Sequence, residues 1–300
     1  SNYPADNVVR IMTSVDGMNT RASYGNSADK LKSFGFCIKN ANSEKYTYDN
    51  IKVSQKGYNW IPATQMLWQN STTAVDILAY APYQETTEDA NGKVKVFGKT
   101  DYAFSVKEDQ SNAEDYSSDL IVFKQTGFTP VSELNTSKAV EVAFTHLLSQ
   151  LNLIIELRDQ FNTNNNTVTK GFVTDVKVNG TIISSKVDFS ASPISVQVDG
   201  TQTAAITPET TGFTPAENAT AHAVFNYSAI VIPQTVAAGN FSISFKVNNT
   251  EYIWTATDAV TFESGKKHEL HLLAGKDVVQ GGAISAKPWG KETITEKETD

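Results

Sequence analysis

Residues 174–189 read TDVKVNGTIISSKVDF, and this stretch decides the fold class. Val176 and Val178 lie two residues apart, which places both side chains on one face of an extended strand. Asn179-Gly180 follows, a dipeptide that accepts the positive φ angles of a two-residue hairpin loop. A second run of alternating polar and apolar residues comes next. The stretch therefore predicts two strands joined by a hairpin turn.

The same alternation recurs along the chain and is interrupted by Gly, Asn, Asp or Pro. Further turn dipeptides occur at Asn91-Gly92 and Asp199-Gly200, whereas helical spacing is nearly absent. The residues that share a parity are Val9, Ile11 and Val15; Val75, Ile77 and Ala79; Val142 and Phe144; Leu151 and Leu153; and Ile243, Phe245 and Val247. The chain is predicted to be all-β.

Length and composition indicate two domains without disulfide bonds. The chain has 300 residues, enough for two hydrophobic cores, and one cysteine, Cys37. Its 33 Thr, 25 Ser and 23 Asn outnumber the 58 charged residues, which predicts a neutral polar surface on the strands. A polar, proline-containing segment at 124–138 marks the boundary between a first domain, 1–135, and a second, 136–290. The charged tail, 291–300, is expected to be flexible.

The charge balance excludes some classes of partner. The formal net charge is −8, and the only arginines are Arg10, Arg21 and Arg158. Nucleic acids and anionic bilayers require a basic face, so neither is expected to bind. No apolar run reaches the 18 or so residues of a membrane helix, and no signal peptide is recognisable, which suits a chain that begins after a removed leader.

The sequence carries few residues in patterns that indicate catalysis or metal binding. The catalytic signatures G-x-S-x-G, H-E-x-x-H, Walker loop and G-x-G-x-x-G are all missing. His268 and His271 are close enough in sequence to suggest a pair of zinc ligands. However, residues three apart on a strand point to opposite faces of the sheet. His146 is expected to be a buried histidine with backbone partners, and Cys37 a small buried apolar residue. We predict no enzyme activity, no metal and no cofactor.

Several strings, in order, resemble one family. The S-G-K-x-H-E-L string and the F-x-H-L-L-S-Q-L string are the most specific of them. The strings are MNTRASYG (18–25), LKSFGFCI (31–38), YNWIPATQMLW (58–68), VDILAYAPYQ (75–84), SSDLIVF (117–123), AVEVAFTHLLSQLNLIIEL (139–157), VTDVKVNG (173–180), AIVIPQTV (229–236), FESGKKHELHLLAGKDVV (262–279) and the Pro288-Trp289 ending. They are similar to those of the fimbrillin-like subunits of type V pili, surface lipoproteins of gut and oral Gram-negative anaerobes.

This resemblance implies a fold and a route of maturation. The fold would be two tandem transthyretin-like (Greek-key) β-sandwich domains. The precursor would be lipid-anchored at the outer membrane, then cut after an arginine so that its first strand leaves. A strand from another pilus subunit would fill the vacated groove by β-strand addition.

The resemblance also assigns roles to individual residues. An Arg-specific protease would cut between Arg21 and Ala22, with Arg10 as the weaker alternative because it lies within the alternating strand. The removable strand would carry Val9, Ile11 and Val15. The alternative is a loop at Arg21 that is never cut.

The C-terminal region is the candidate for the donated strand. It would carry Ile284, Ala286 and Trp289, with Pro288 limiting it to an edge or to a strand end. The tail beyond it lacks apolar alternation, having only Ile294.

Two further function classes stay open beside a structural or adhesive fimbrial subunit. A stand-alone surface glycan-binding lipoprotein would present two or three exposed, coplanar aromatic side chains in one cleft. The four tryptophans, Trp60, Trp68, Trp254 and Trp289, are the candidates, although core or edge packing is favoured for each. A secreted hydrolase would need converging carboxylates, or a nucleophile with a base, and no such spacing is present.

Overall fold

A computed structural model of the chain describes residues 1–15, 24, 28–85, 96–163 and 167–289. Strands dominate it, which confirms the all-β prediction. The strands of the first half are β1 (Arg10–Val15), β2 (Ser33–Lys39), β3 (Tyr48–Lys56), β4 (Asn59–Pro62), β5 (Val75–Ala81), β6 (Tyr102–Ser105), β7 (Ile121–Phe128) and β8 (Ala139–His146). Those that follow are β9 (Ser149–Leu157), β10 (Val173–Ile182), β11 (Ser184–Asp188), β12 (Ser195–Val198), β13 (Thr203–Ile206), β14 (Glu209–Thr214) and β15 (Ala223–Val231). The last are β16 (Gln234–Val236), β17 (Ser242–Val247), β18 (Thr250–Thr255), β19 (Val260–Phe262), β20 (Lys266–Ala274), β21 (Val279–Gly281) and β22 (Ser285–Pro288).

In the part of the chain that the structure describes, helical structure is limited to short turns between strands. One α-helical turn, α1 (Pro130–Glu133), has proline at its first position, where the missing N–H costs no hydrogen bond. Four 3-10 turns are Ala28–Lys30, Glu44–Tyr46, Asp159–Phe161 and Lys170–Phe172.

The first sheet has seven strands in the order β1-β8-β7-β5-β2-β3-β4. Its central strands β2 and β5 are buried on both faces, so their sequences read as nearly continuous apolar runs. On one face, Phe36 and Ile77 pack in a cluster that also holds the inward residues of β1. On the other face, Cys37 and Tyr80 join a second cluster.

A three-stranded sheet, β12-β11-β6, contributes aromatic side chains to that second cluster. The ring centroid of Phe189 lies 5.0 Å from that of Tyr102 and 5.7 Å from that of Tyr80. The first sheet also includes β8, and this smaller sheet pairs β6 with β11. Strands from both sides of residue 135 therefore share sheets, and the division of the chain at that residue stays a prediction.

The remaining strands form a six-stranded sheet, a four-stranded sheet and a two-stranded ribbon. The six-stranded sheet has the order β14-β15-β9-β20-β21, with β22 also pairing β20, and the four-stranded one is β13-β10-β17-β18. The ribbon pairs β16 with β19. Apolar residues of these sheets, such as Leu153, Phe225 and Ile243, meet in the second cluster. The tandem transthyretin-like topology stays a prediction.

The hairpin predicted at Asn179-Gly180 is wrong. Strand β10 continues through both residues, and its pairing with β13 shifts register between Val178 and Thr181, which is a β-bulge. Gly180 has φ +102°, and a Cβ there would lie 2.0 Å from the backbone oxygen of Asn240. The positive φ angle and the missing side chain of Gly180 therefore allow a bulge and a close approach of the backbone at Asn240, instead of a hairpin turn.

The two other predicted hairpin dipeptides have different outcomes. Asp199-Gly200 connects β12 to β13, but these strands pair with β11 and β10 respectively, so the dipeptide is a turn between two sheets. Asn91-Gly92 lies outside the described residues.

Candidate functional site

The first strand and the residues just before it form backbone hydrogen bonds with two different parts of the fold. On one side β1 pairs in parallel with β8, from Arg10 opposite Ala139 to Val15 opposite Phe144. On the other side the chain just before β1 is bonded to the segment 66–68. The Val9 N–H donates to the Met66 carbonyl oxygen at 2.9 Å, and the Trp68 N–H donates to the Asn7 oxygen at 2.8 Å. Residues 7–15 thus have backbone partners along their length, residues 7–9 on the segment 66–68 and residues 10–15 on β8, and we call the site that they occupy the slot.

The inward face of this strand is apolar, as its sequence parity predicts. Val9, Ile11 and Val15 are buried in a cluster that includes Phe34 and Phe144. The outward residues Arg10 and Met12 are exposed. Each buried aliphatic side chain stabilises the seated strand by roughly 1.5–3 kcal/mol. Main-chain hydrogen bonds and alternate side chains in pockets are the two elements by which an added strand is recognised.

The predicted processing residues differ in what the structure describes. Arg21 and Ala22 lie outside the described residues. Arg10 is the first residue of β1, and its guanidinium contacts both carboxylate oxygens of Asp6, at 3.0 and 2.6 Å. This hydrogen bond lowers the pKa of Asp6 to about 2. A cut after Arg10 would leave the paired residues from Ile11 to Val15 in the slot.

Tyr24 is the first residue after Arg21 that the structure describes, and it is held in place by hydrogen bonding and burial. This residue is buried, and its backbone N–H donates to Oδ2 of Asp119 at 3.0 Å. Oδ1 of the same carboxylate lies 2.9 Å from Nδ1 of His146, and both side chains are fully buried. The prediction that His146 is buried is confirmed, and its carboxylate partner was not predicted. The 27-residue separation from Asp119 gave no spacing signal.

An edge strand, β22, covers part of the predicted C-terminal strand: Ala286 lies in it, whereas Ile284 precedes it and Trp289 follows it. β22 pairs antiparallel with β20, with Ala286 opposite His268 and Pro288 opposite Lys266. Pro288 is its last residue, in agreement with the predicted limit on the strand. All four side chains of β22 are exposed, whereas Ile284 is half-buried and Trp289 is buried. Trp289 is the anchor that follows the strand.

A cleft of about 880 Å³ lies beside the C-terminal strands, lined by β18 and β19 on one wall and residues 279–286 on the other. Its tryptophan is Trp254, whose ring faces Gly281 so closely that a Cβ on Gly281 would lie 2.5 Å from it. His268, the other aromatic residue of the lining, is buried. Among the described lining residues, the cleft thus lacks the set of exposed coplanar aromatic rings that a glycan-binding site would present.

The His268 and His271 pair does not converge. His268 is buried and lies edge-on to Phe262, whereas the side chain of His271 is 49% exposed. Burial lowers the pKa of His268. His271 instead shares the Glu156 carboxylate with His222, at 3.3 and 2.9 Å, and these contacts lower the pKa of Glu156 against the opposing effect of burial. The prediction of opposite faces is confirmed.

No helix among the described residues has the length and apolarity required to cross a membrane.

The chain is similar to a known protein family in sequence and to several solved proteins in fold. Residues 20–289 match a family model described as fimbrillin-like. A solved cell adhesion protein from Bacteroides uniformis is 20% identical with a TM-score of 0.63, over 95% of this chain and 99% of that one. A second, from Bacteroides ovatus, is 14% identical with a TM-score of 0.65 over the same shares. A fimbrial protein from Bacteroides vulgatus is 18% identical with a TM-score of 0.58, over 94% and 99%.

Among curated proteins, none matches this chain. At these levels of identity the likeness to the solved structures concerns the fold alone.

Proposed function

The chain belongs to the fimbrillin-like family, and on this premise we propose that it is a non-enzymatic structural or adhesive subunit of a surface fimbria, assembled by exchange of its first strand. The observation that carries the proposal is the slot occupied by β1. Its backbone partners lie on β8 and, for the residues just before β1, on the segment 66–68, and its floor is apolar, so another extended chain with a similar alternation can replace β1 without a new fold.

Cleavage between Arg21 and Ala22 is the proposed trigger. The cut falls after β1 and before the anchored Tyr24, so it would separate the whole first strand from the part of the chain held by Asp119. Arg10 is a poorer trigger, because a cut there leaves Ile11 and Val15 paired with β8. Loss of the covalent link lets the strand dissociate, which opens the slot.

The C-terminal edge segment with Ile284, Ala286 and Trp289 is the proposed donor. Its strand packs few side chains against the body, so moving it uncovers little apolar surface apart from the Trp289 site. The partners of the chain would be other fimbrial subunits, as a homopolymer or a heteropolymer, and an Arg-specific protease. A lipid-anchored precursor at the outer membrane would precede incorporation, and the assembled subunit could present a surface for host or bacterial ligands.

The test is limited proteolysis of the folded full-length chain by an Arg-specific protease. Mass spectrometry of the new N-terminus should place the cut before Ala22. The cut protein should then form polymers that survive mild denaturant on a gel. Arg21→Ala should abolish both cleavage and polymers, whereas Arg10→Ala and Arg158→Ala, the matched controls, should retain both.

Three outcomes would contradict the mechanism. These are an uncut protein, a cut confined to Arg158, and a cut chain that stays monomeric. A synthetic peptide covering residues 8–15 should also compete for the empty slot and suppress polymer formation. A peptide with Ile11 replaced by Asp is the control, because a buried carboxylate cannot fill the apolar pocket.

A further inference from the structure

We propose that a buried cluster of four residues couples the C-terminal strand to the chain that follows the first strand. The cluster comprises Tyr24, Asp119, His146 and Trp289, and we call it the end-coupling cluster. Three contacts, through Asp119 and His146, link Tyr24, the first described residue after Arg21, to Trp289, the last residue that the structure describes. The coupling is a property of the uncut monomer and extends beyond the proposed assembly role.

The Asp119 carboxylate is the centre of the cluster, because its two oxygens have different partners. Oδ2 accepts the Tyr24 backbone N–H, and Oδ1 contacts Nδ1 of His146. The carboxylate has no solvent exposure, so it cannot replace either partner with bulk water. A buried polar group that loses its hydrogen bond is costly, so a displacement of His146 strains the bond to Tyr24 as well.

Trp289 fixes the orientation of the histidine ring. The two rings are parallel, with an interplanar angle of 6° and centroids 3.8 Å apart. The indole N–H has no hydrogen-bond partner among the described residues, so stacking and apolar burial hold the side chain, together with the backbone bond from its N–H to Gly265 at 2.8 Å. The attachment of Trp289 therefore depends on the position of His146.

Neighbouring contacts restrain Tyr24 and Asp119 within the cluster. Asp119 donates its own N–H to the carbonyl of Tyr116, and the Tyr116 ring lies 5.6 Å from that of Tyr24. Tyr24 is thus held by its backbone through Asp119 and by its ring through Tyr116. Removing the indole frees the imidazole to tilt, and the tilt is transmitted to the Tyr24 amide through the shared carboxylate.

The experiment measures hydrogen exchange of the Tyr24 amide in the uncut full-length chain by NMR. Trp289→Ala should accelerate this exchange at least tenfold. Trp254→Ala is the matched control: it removes a tryptophan that contacts the same C-terminal segment, at Gly281, but lies outside the cluster. It should leave the Tyr24 amide unchanged. Trp289→Phe, which keeps an aromatic ring on His146, should restore slow exchange.

Coupling is reciprocal, so the perturbation must also work in the other direction. Asp119→Ala should accelerate exchange of the Trp289 amide, and melting followed by circular dichroism establishes that this variant is folded. The inference is overturned if Trp289→Ala leaves Tyr24 exchange unchanged, or if Trp254→Ala accelerates it equally. Because the measurement needs neither cleavage nor polymers, its failure is separate from failure of the proposed assembly mechanism.

Discussion

Truncating Ile11 to alanine should loosen the first strand selectively. Its side chain is 6% exposed, whereas that of its neighbour Met12 is 43% exposed on the opposite face of the same strand. The substitution deletes three buried carbon atoms at about 0.8 kcal/mol each. With the residual cavity the expected loss is about 3 kcal/mol, within the range for isoleucine truncation in protein cores.

This loss should appear in the local opening of β1, because the strand lies at the edge of its sheet. A change of about 3 kcal/mol corresponds to roughly 100-fold faster opening at equilibrium. Hydrogen exchange followed by mass spectrometry, on peptides that cover residues 8–15, measures the effect. Met12→Ala is the matched control and should change stability by at most about 0.5 kcal/mol.

Two results would contradict the burial of Ile11 as the source of this effect. If the Ile11 and Met12 variants accelerated exchange equally, the strand would not have one buried face. If neither variant changed β1 exchange, the slot would not depend on side-chain burial, and strand replacement by a similar alternating chain would lose its basis. An acceleration confined to other strands would contradict the placement of Ile11 in the same way.

Three other predictions concern separate parts of the fold. Gly281→Ala should displace the Trp254 ring, because the new Cβ would lie 2.5 Å from it. The displacement should shift the tryptophan fluorescence spectrum. Gly282→Ala is the control that should leave the spectrum unchanged, because its Cβ would have no atom within 4 Å. Burial raises the pKa of the Cys37 thiol, so the native protein should react slowly with thiol reagents at pH 8. Because the thiol of the unfolded chain ionises at lower pH, the stability of the fold should fall as pH rises above about 8.5. Labelling of the native protein as fast as a free, exposed thiol would contradict this prediction. Lys124→Met should lower the free energy of unfolding, measured with urea, by about 1–3 kcal/mol. The reason is that the ammonium group donates to three backbone carbonyls of the loop after β11, at 2.9 to 3.0 Å. An unchanged urea midpoint would contradict this prediction, because it would mean that water satisfies the three carbonyls equally well.

Local periodicity was sufficient to predict several of the strands, such as β1, β8 and β17, and the buried face of each of these. The two-residue repeat fixes which side chains share a face before any partner is known, which is why Val9, Ile11 and Val15 were identified as inward residues. The turn dipeptides were less reliable. Asn179-Gly180 favours a positive φ angle, but that angle suits a bulge as well as a hairpin, and the contact with Asn240 that selects the bulge comes from the turn between β16 and β17.

Pairing between strands could not be predicted from the sequence, and the polar clusters depend on it. His146 meets Asp119, and Glu156 meets both His222 and His271, through contacts across the sheets that no local spacing encodes. The zinc interpretation of His268 and His271 could be rejected from the sequence, because the strand repeat alone sends them to opposite faces. The candidate donor residues were likewise placed on a strand, but the burial of Trp289 against His146 was not foreseen.

The sequence by itself determined the all-β class, the inward face of the first strand and the resemblance to a family, since all three depend on residue order along the chain. Tertiary structure alone decided that β1 pairs with β8 while the residues just before it bond to the segment 66–68, and that the chain after the first strand is linked to Trp289 through Asp119 and His146. The physical reason is that hydrogen bonds between strands form at similar cost in many registers. The register is chosen only when the apolar faces of the whole chain pack together.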